Sequence, residues 1–277
     1  MKTVGVVGLG VMGGSFCGRL KELGWRVIGF DPNGHSLKTA KERGWIDEGY
    51  ADFSQGLSQC ELVIFCIYPT LLPKWIAEWQ NQFAPGTLLL EISGVKRAVM
   101  DPVQDILRDD LELMSIHPMC GRESKGIQFA NPHIFDQANF IIIPHDRNTA
   151  SSLVKVSALA KDLGCKNISV LSADEHDTMI AFLSQLTHVI AVSLMDTHEN
   201  EHLVEYTGDS FRDLTRIASI NEEMWSELFL LNKDFLLDEI HQFQDSLKNF
   251  ETALQNEDTK TMKDMMVLST VRRKKFD

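Results

Sequence analysis

Gly8-Leu9-Gly10-Val11-Met12-Gly13 is a G-x-G-x-x-G run that directly follows an apolar stretch, Thr3 to Val7, and opens a segment of helical period. Glycines at this spacing can cradle a pyrophosphate. Gly8 permits the tight turn, Gly10 lets backbone approach the anion, and Gly13 lets helix and strand pack closely, while the helix N-terminus offers free N–H groups and a positive dipole end. Asp31 ends the second apolar run. A carboxylate there accepts hydrogen bonds from the 2′- and 3′-hydroxyls of an adenosine ribose and repels a 2′-phosphate. Pro32 and Asn33 follow it and no arginine adjoins it, so the pattern points to NAD rather than NADP, held by Gly8, Leu9, Gly10, Val11, Met12, Gly13 and Asp31.

His117 is the residue best suited to move a proton. It sits in Ser115-Ile-His-Pro-Met-Cys-Gly-Arg-Glu123, at the carboxyl end of a predicted strand, where open α/β sheets bind ligands, and a neutral imidazole is available as a base near neutral pH. A second polar group comes from a long apolar segment. At 100° per residue, Asp177, Ala181, Ser184 and His188 fall on one stripe, with Met179, Phe182, Leu183, Leu186, Val189 and Ile190 covering the rest. Such a polar seam needs a partner. Arg212 and Arg216 are four apart, with Asp213 between them, and a guanidinium fork pairs bidentately with a carboxylate.

The elements that carry these residues fall into two kinds. From the start to about Leu171, β-branched runs alternate with amphipathic stretches, the signature of βαβ units and a mostly parallel sheet. Strands are expected at Thr3 to Val7, Arg26 to Phe30, Leu62 to Ile67, Thr87 to Ile92, Glu112 to Ser115, Phe140 to Pro144 and Asn167 to Leu171. Ser172-Ala-Asp-Glu175 reads as a helix start, and no convincing strand follows it. The expected organisation is a dinucleotide-binding α/β domain over 1–172 and an all-α domain over 173–277. The helix from Asp174 to about Thr197 is apolar nearly all round, which asks for burial on several sides and makes a second subunit the simplest cover.

Composition narrows the partners. The 277 residues include 27 Lys and Arg against 39 Asp and Glu, a formal net charge of −12, so nucleic acid and anionic membrane surfaces are disfavoured. Five cysteines without zinc or disulfide spacing fit reduced thiols in the cytoplasm and provide no metal site. The run Met179 to Met195, interrupted by Ser184, Gln185, Thr187, His188 and Ser193, reads as too short and too polar to span a bilayer.

Taken together, the glycine fingerprint, His117-Pro-Met-x-Gly121, Ser184-Gln-Leu-Thr-His188 and Phe211-Arg-Asp-Leu-Thr-Arg-Ile-Ala218 resemble the prephenate and arogenate dehydrogenases over nearly the whole chain. The resemblance implies a Rossmann-type domain followed by a helical dimerisation domain, a homodimer, and NAD-dependent oxidative decarboxylation of prephenate, with arogenate as the alternative substrate. It also implies that His117 is the catalytic base, that His188, Ser184 and Asp213 belong to the substrate site, that Arg216 holds a substrate carboxylate, and that Glu123 borders the entrance. Two departures stand out. The family pattern has serine where this chain has Gly94, so Ser93 becomes the candidate to bond the catalytic histidine, and Cys120 stands where a small alanine is common. A related β-hydroxyacid oxidoreductase would place a lysine base on the long helix, and none lies between Asp174 and Asn200. The remaining rival, of another class, is a catalytically silent NAD-binding regulator or scaffold.

Overall fold

The structure, a computed structural model, describes residues 2–121, 124–199 and 202–276. Eight strands form one sheet in the order β3-β2-β1-β4-β5-β6-β7-β8. They are β1 (Thr3–Val7), β2 (Arg26–Phe30), β3 (Glu48–Tyr50), β4 (Leu62–Phe65), β5 (Leu88–Glu91), β6 (Glu112–Pro118), β7 (Asn139–Ile143) and β8 (Asn167–Val170). Every pairing is parallel except β6 with β7. The reversal has a local cause. Between β6 and β7 the described residues form only short 3₁₀ turns, and a parallel return needs a full crossover element. The order reverses between β1 and β4, the point at which a doubly wound sheet opens a crevice for ligand.

Helices α1 (Val11–Glu22), α2 (Gly34–Glu42), α3 (Leu72–Trp79), α4 (Arg97–Gln104) and α5 (Ala150–Leu163) cover the sheet. The central strands are buried on both faces, which is why they read as unbroken apolar runs. Alternate residues serve opposite cores: Val4, Val6 and Ile64 join Phe16 of α1 and Leu159 of α5, whereas Val7, Val63 and Phe65 join Ile76 of α3 and Val103 of α4. One strand escaped the sequence expectation. β3 is three partly exposed residues at the sheet edge, too short to show a period, and its Tyr50 hydroxyl donates to Glu48 at 2.6 Å.

After β8 no further strand occurs among the described residues. Helix α6 (Ala173–Ile180) begins with a full capping box, Ser172 accepting from the Glu175 N–H while the Glu175 carboxylate accepts from the Ser172 N–H. A π-helical turn, Ala181–Leu186, joins it to α7 (Thr187–Met195). The joined helix, Ala173–Met195, is long and apolar enough by length and composition to cross a bilayer. The expectation of a stretch too short and too polar to span rested on Met179 to Met195 alone, whereas the helix expected from Asp174 to about Thr197 is observed as one continuous stretch. Helices α8 (Leu203–Tyr206), α9 (Asp209–Thr215), α10 (Glu222–Leu231), α11 (Lys233–Gln255) and α12 (Thr259–Arg273) complete the chain. Of these, α10 returns to the sheet, burying Leu228 against the core that contains Val95 and Val99.

Candidate active site

The glycine turn is built as its chemistry requires. Gly8 has φ +87°, and a Cβ there would lie 2.5 Å from the Cys66 carbonyl oxygen. At Gly13 a Cβ would fall 1.8 Å from the Gly8 oxygen, whereas at Gly10 it would meet nothing within 4 Å among the described residues beyond its chain neighbours. That open position faces the first turn of α1, whose N-terminus has no side-chain cap, so its N–H groups are left for an external anion. The Asp31 carboxylate closes the turn, accepting from the Leu9 N–H at 2.6 Å and the Asn33 N–H at 2.7 Å. Each oxygen keeps a second lone pair for a ribose hydroxyl. Leu9 to Met12, Asp31 and Ser93 line a cleft of about 900 Å³ whose far wall, Ser219 to Met224, comes from the helical half. A neighbouring cleft of about 490 Å³, with Pro32, Phe53, Leu71 and Trp75 among its walls, has the flat apolar character that a nucleobase needs. The residues present therefore fit a dinucleotide.

His117 lies two residues beyond Ser115, which pairs with Glu91, and so comes level with the turn that follows β5. Its Nδ1 is 2.8 Å from Nε2 of His176 in α6, and Nδ1 of His176 is 2.8 Å from Oδ1 of Asp177. Asp177 also accepts the backbone N–H groups of Lys96 at 2.8 Å and Arg97 at 2.9 Å. Beneath this chain, the fully buried Lys96 ammonium donates to Glu91 and to the Ile116 carbonyl, both at 2.9 Å, and Ser115 donates to the same carboxylate. Burial, with the Lys96 charge and His176 beside it, holds the His117 imidazole well below its ordinary value. His176 is lowered by burial too, against the opposing bond to Asp177. Both rings are thus neutral near neutral pH, and Lys96 is itself lowered by burial against the pull of Glu91.

The expected role of Ser93 is not the one the geometry displays. Nδ1 of His117 is engaged by His176, while Ser93 gives its backbone N–H to Glu91 at 2.7 Å and lies in the wall of the large cleft. Gly94 is tight against the helical half, since a Cβ there would approach Leu228 to 3.3 Å. Sequence reasoning placed Asp177 on a polar stripe but gave the adjacent His176 no role. The signal available was the Glu175-His176-Asp177 run at a helix start; the partner across 59 positions was not visible.

The remaining candidates lie along the long helix and its cover. The π turn shifts the helical phase by about one residue, so the buried polar group is Gln185, not Ser184. Gln185 donates to the Leu228 carbonyl at 3.0 Å and accepts from Asn232 at 2.8 Å, and Asn232 also donates to the Asp177 carbonyl at 2.9 Å. Ser184 contributes its carbonyl, which accepts from Nδ1 of His188 at 2.8 Å and from the Thr187 hydroxyl at 2.6 Å. His188 stacks on Trp225 of α10 with ring centroids 3.7 Å apart, a contact that sequence reasoning did not anticipate. His176 lies on α6 and His188 on α7, on either side of the π turn, so the two histidines mark different ends of the joined helix. Asp213 is on α9 and Arg216 opens the 3₁₀ turn after it, so the two arginines do not share one continuous helix. Both segments pack against α7. Arg212, Asp213 and Arg216 are exposed in the single chain. Glu123 falls outside the described residues.

The two halves that meet at the crevice are shared with proteins of known family. Residues 16–169 match the family described as prephenate dehydrogenase, nucleotide-binding domain, and residues 172–268 match the prephenate dehydrogenase dimerization domain. The prephenate dehydrogenase of Bacillus subtilis is 27% identical over 268 residues, covering 94% of this chain and 72% of its own. The cyclohexadienyl dehydrogenase of Zymomonas mobilis is 24% identical over 265 residues, covering 93% and 90%. Among solved structures, prephenate dehydrogenase from A. aeolicus in complex with hydroxyphenyl propionate and NAD+ matches with a TM-score of 0.92 and 24% identity, covering 100% of this chain and 99% of that one. The fold is therefore shared from end to end, and with the first family match alone spanning more than half of the sequence, the chain belongs to the prephenate dehydrogenase family.

Proposed function

We propose that the protein oxidises and decarboxylates prephenate to 4-hydroxyphenylpyruvate with NAD+, acting as a homodimer in a reducing cytoplasmic compartment. The observation that carries this reading is the place of His117, at the carboxyl end of β6 and level with Ser93, which lines the same crevice as the glycine turn and Asp31. The substrate is a cyclohexadienol with a hydroxyl at one ring carbon and a carboxylate at the opposite one. The N–H groups at the start of α1 and the Asp31 carboxylate would hold NAD+, which would supply the hydride acceptor when bound. His117 takes the hydroxyl proton as the carbon beneath it loses hydride. The bond to the ring carboxylate then breaks, carbon dioxide leaves, and the bonding pair makes the ring aromatic; the phenolic oxygen recovers a proton from the imidazolium. Arg216 holds the carboxylate before it leaves, with Asp213 orienting the guanidinium, and His188 and Ser184 belong to the far end of the substrate site with Glu123 at its entrance. Ser93 serves as a wall of the crevice near the reacting centre. Relatives with both prephenate and arogenate in their names match the chain. Prephenate is favoured because the cationic amine of arogenate asks for a carboxylate partner, and the loop after His117 offers only Glu123.

A second copy covers the helical half. Phe182 is 53% and Leu230 71% exposed in the single chain, and residues 172–268 match a dimerization domain. The long apolar helix is then an interface and not a membrane span.

The test is NADH formation with prephenate, with arogenate and with neither, using NAD+ and NADP+. Rapid turnover of prephenate with NAD+ is expected, and Arg216→Ala should lose roughly 2–5 kcal/mol in kcat/KM, mostly through KM, with NAD+ binding unchanged. Turnover of arogenate alone would reassign the substrate. Cofactor binding without turnover of either would favour the silent regulator.

A further inference from the structure

We infer that His176 is a positioning residue that fixes which ring nitrogen of His117 bears the proton, leaving Nε2 of His117 as the lone pair that meets the substrate hydroxyl. The inference rests on the reading of His117 as the base, and it follows from hydrogen-bond bookkeeping along one chain. The two oxygens of Asp177 receive three N–H groups, from Lys96, Arg97 and His176. An acceptor carboxylate requires that Nδ1 of His176 carry the hydrogen. A neutral imidazole has one N–H, so Nε2 of His176 can only accept. The 2.8 Å contact between that atom and Nδ1 of His117 then requires the hydrogen to be on His117. Nδ1–H donates inward, and Nε2 is left unprotonated.

The surroundings enforce this assignment. The groups that face the two rings are Lys96 on the turn before α4, Glu91 at the end of β5, and Asp177 on α6. The ammonium of Lys96 opposes an added proton on either imidazole. His176 is fully buried, so water does not compete for its nitrogens. The anchor spans both halves of the molecule, because Asp177 belongs to the helical half and the N–H groups of Lys96 and Arg97 to the sheet half. Misplacement of the halves would therefore release the base from its working tautomer as well as open the crevice.

The experiment reads the ring nitrogens directly. In protein carrying ¹⁵N-histidine, at neutral pH and without substrate, two-bond ¹H–¹⁵N spectra distinguish a protonated from an unprotonated ring nitrogen, and His117→Asn assigns the His117 signals by their loss. The expected result is protonated Nδ1 and unprotonated Nε2 for His117. The reverse pattern in the unmodified protein would overturn the inference. His176→Leu, close in volume and folded by circular dichroism, should give a mixture of tautomers at His117 and lower kcat about 10- to 100-fold, the scale of losing a partner that orients a working imidazole. His176→Gln, whose amide oxygen reaches the same place as an acceptor, should restore the single tautomer and much of kcat. An unmixed wild-type tautomer in His176→Leu would also overturn it. Absence of prephenate turnover by the unmodified protein would sink the functional reading while leaving the tautomer measurement standing, so the two failures are distinguishable.

Discussion

The sheet half and the helical half solve the burial problem in opposite ways. In the first, strands β1, β4 and β5 bury every residue, and even an ammonium and a carboxylate, Lys96 and Glu91, are enclosed with their bonds made. In the second, the buried apolar residues are few, among them Ile180, Ala181, Leu186, Ala191, Leu228, Leu236 and Ala253. Phe182, Val204, Leu214, Leu230, Leu247, Leu254 and Val267 are left exposed. One half nearly completes its own core, taking from the other only Leu228 and its neighbours on α10, and the other carries apolar surface left uncovered in the single chain. The contrast teaches where the site must be. The candidate base, His117, stands on the sheet half and its bonded neighbours, His176 and Asp177, on the helical one, so this cluster forms only where the two meet.

The largest effect should come from separating them. Residues 1–171 expressed alone should fold as a monomer with a cooperative melt, whereas residues 172–277 alone should self-associate or lose helicity on dilution. Sedimentation and circular dichroism at micromolar concentration measure both, and a stable monomeric helical fragment would break the comparison. Within the sheet half, alanine at two glycines of one turn should act through different terms. Gly13→Ala drives a Cβ into a backbone oxygen at 1.8 Å, and neither atom is at the end of a flexible chain, so a loss of about 3 kcal/mol or more in stability is expected. Gly10→Ala meets nothing within 4 Å among the described residues beyond its chain neighbours, so its melting temperature should be unchanged while NAD+ affinity, by titration calorimetry, falls about tenfold or more.

The smallest effect lies at the join between halves. His117 and His176 are both lowered by burial, so below the ordinary imidazole value of about 6.5 the unfolded chain binds more protons than the folded one. Stability is therefore fully present above that pH and lost as pH falls toward the depressed values, by at most about 1.4 kcal/mol per pH unit for each ring. Urea unfolding at pH 7.5 and pH 5.5 checks the sign, and His176→Gln should flatten the dependence. A protein equally stable at both values would show that these rings are not buried neutral.

Much of the fold was legible because its signals are local. The turn at Gly8 to Gly13, the strand Thr3–Val7 and the capping box at Ser172 each depend on a few adjacent residues whose backbone preferences and burial pattern appear in order along the chain. His117 was legible for the same reason, standing at a strand end with its motif around it. The linear order of residues thus carried the α/β half, the change to helices near Ser172, and His117 as the candidate base. Only the tertiary structure decided what holds that base. The link from His117 to His176 joins residues 59 apart, the anchoring of Asp177 uses backbone N–H groups that carry no side-chain signature, and the stack of Trp225 on His188 depends on α10 folding back across the crevice. The π turn likewise has no mark in an apolar run, since its phase is set by what Gln185 and Asn232 find to bond with across the helix packing. Hydrogen bonds between distant segments exist only once the packing has brought donor and acceptor within 3 Å, and the linear order of residues does not encode that distance.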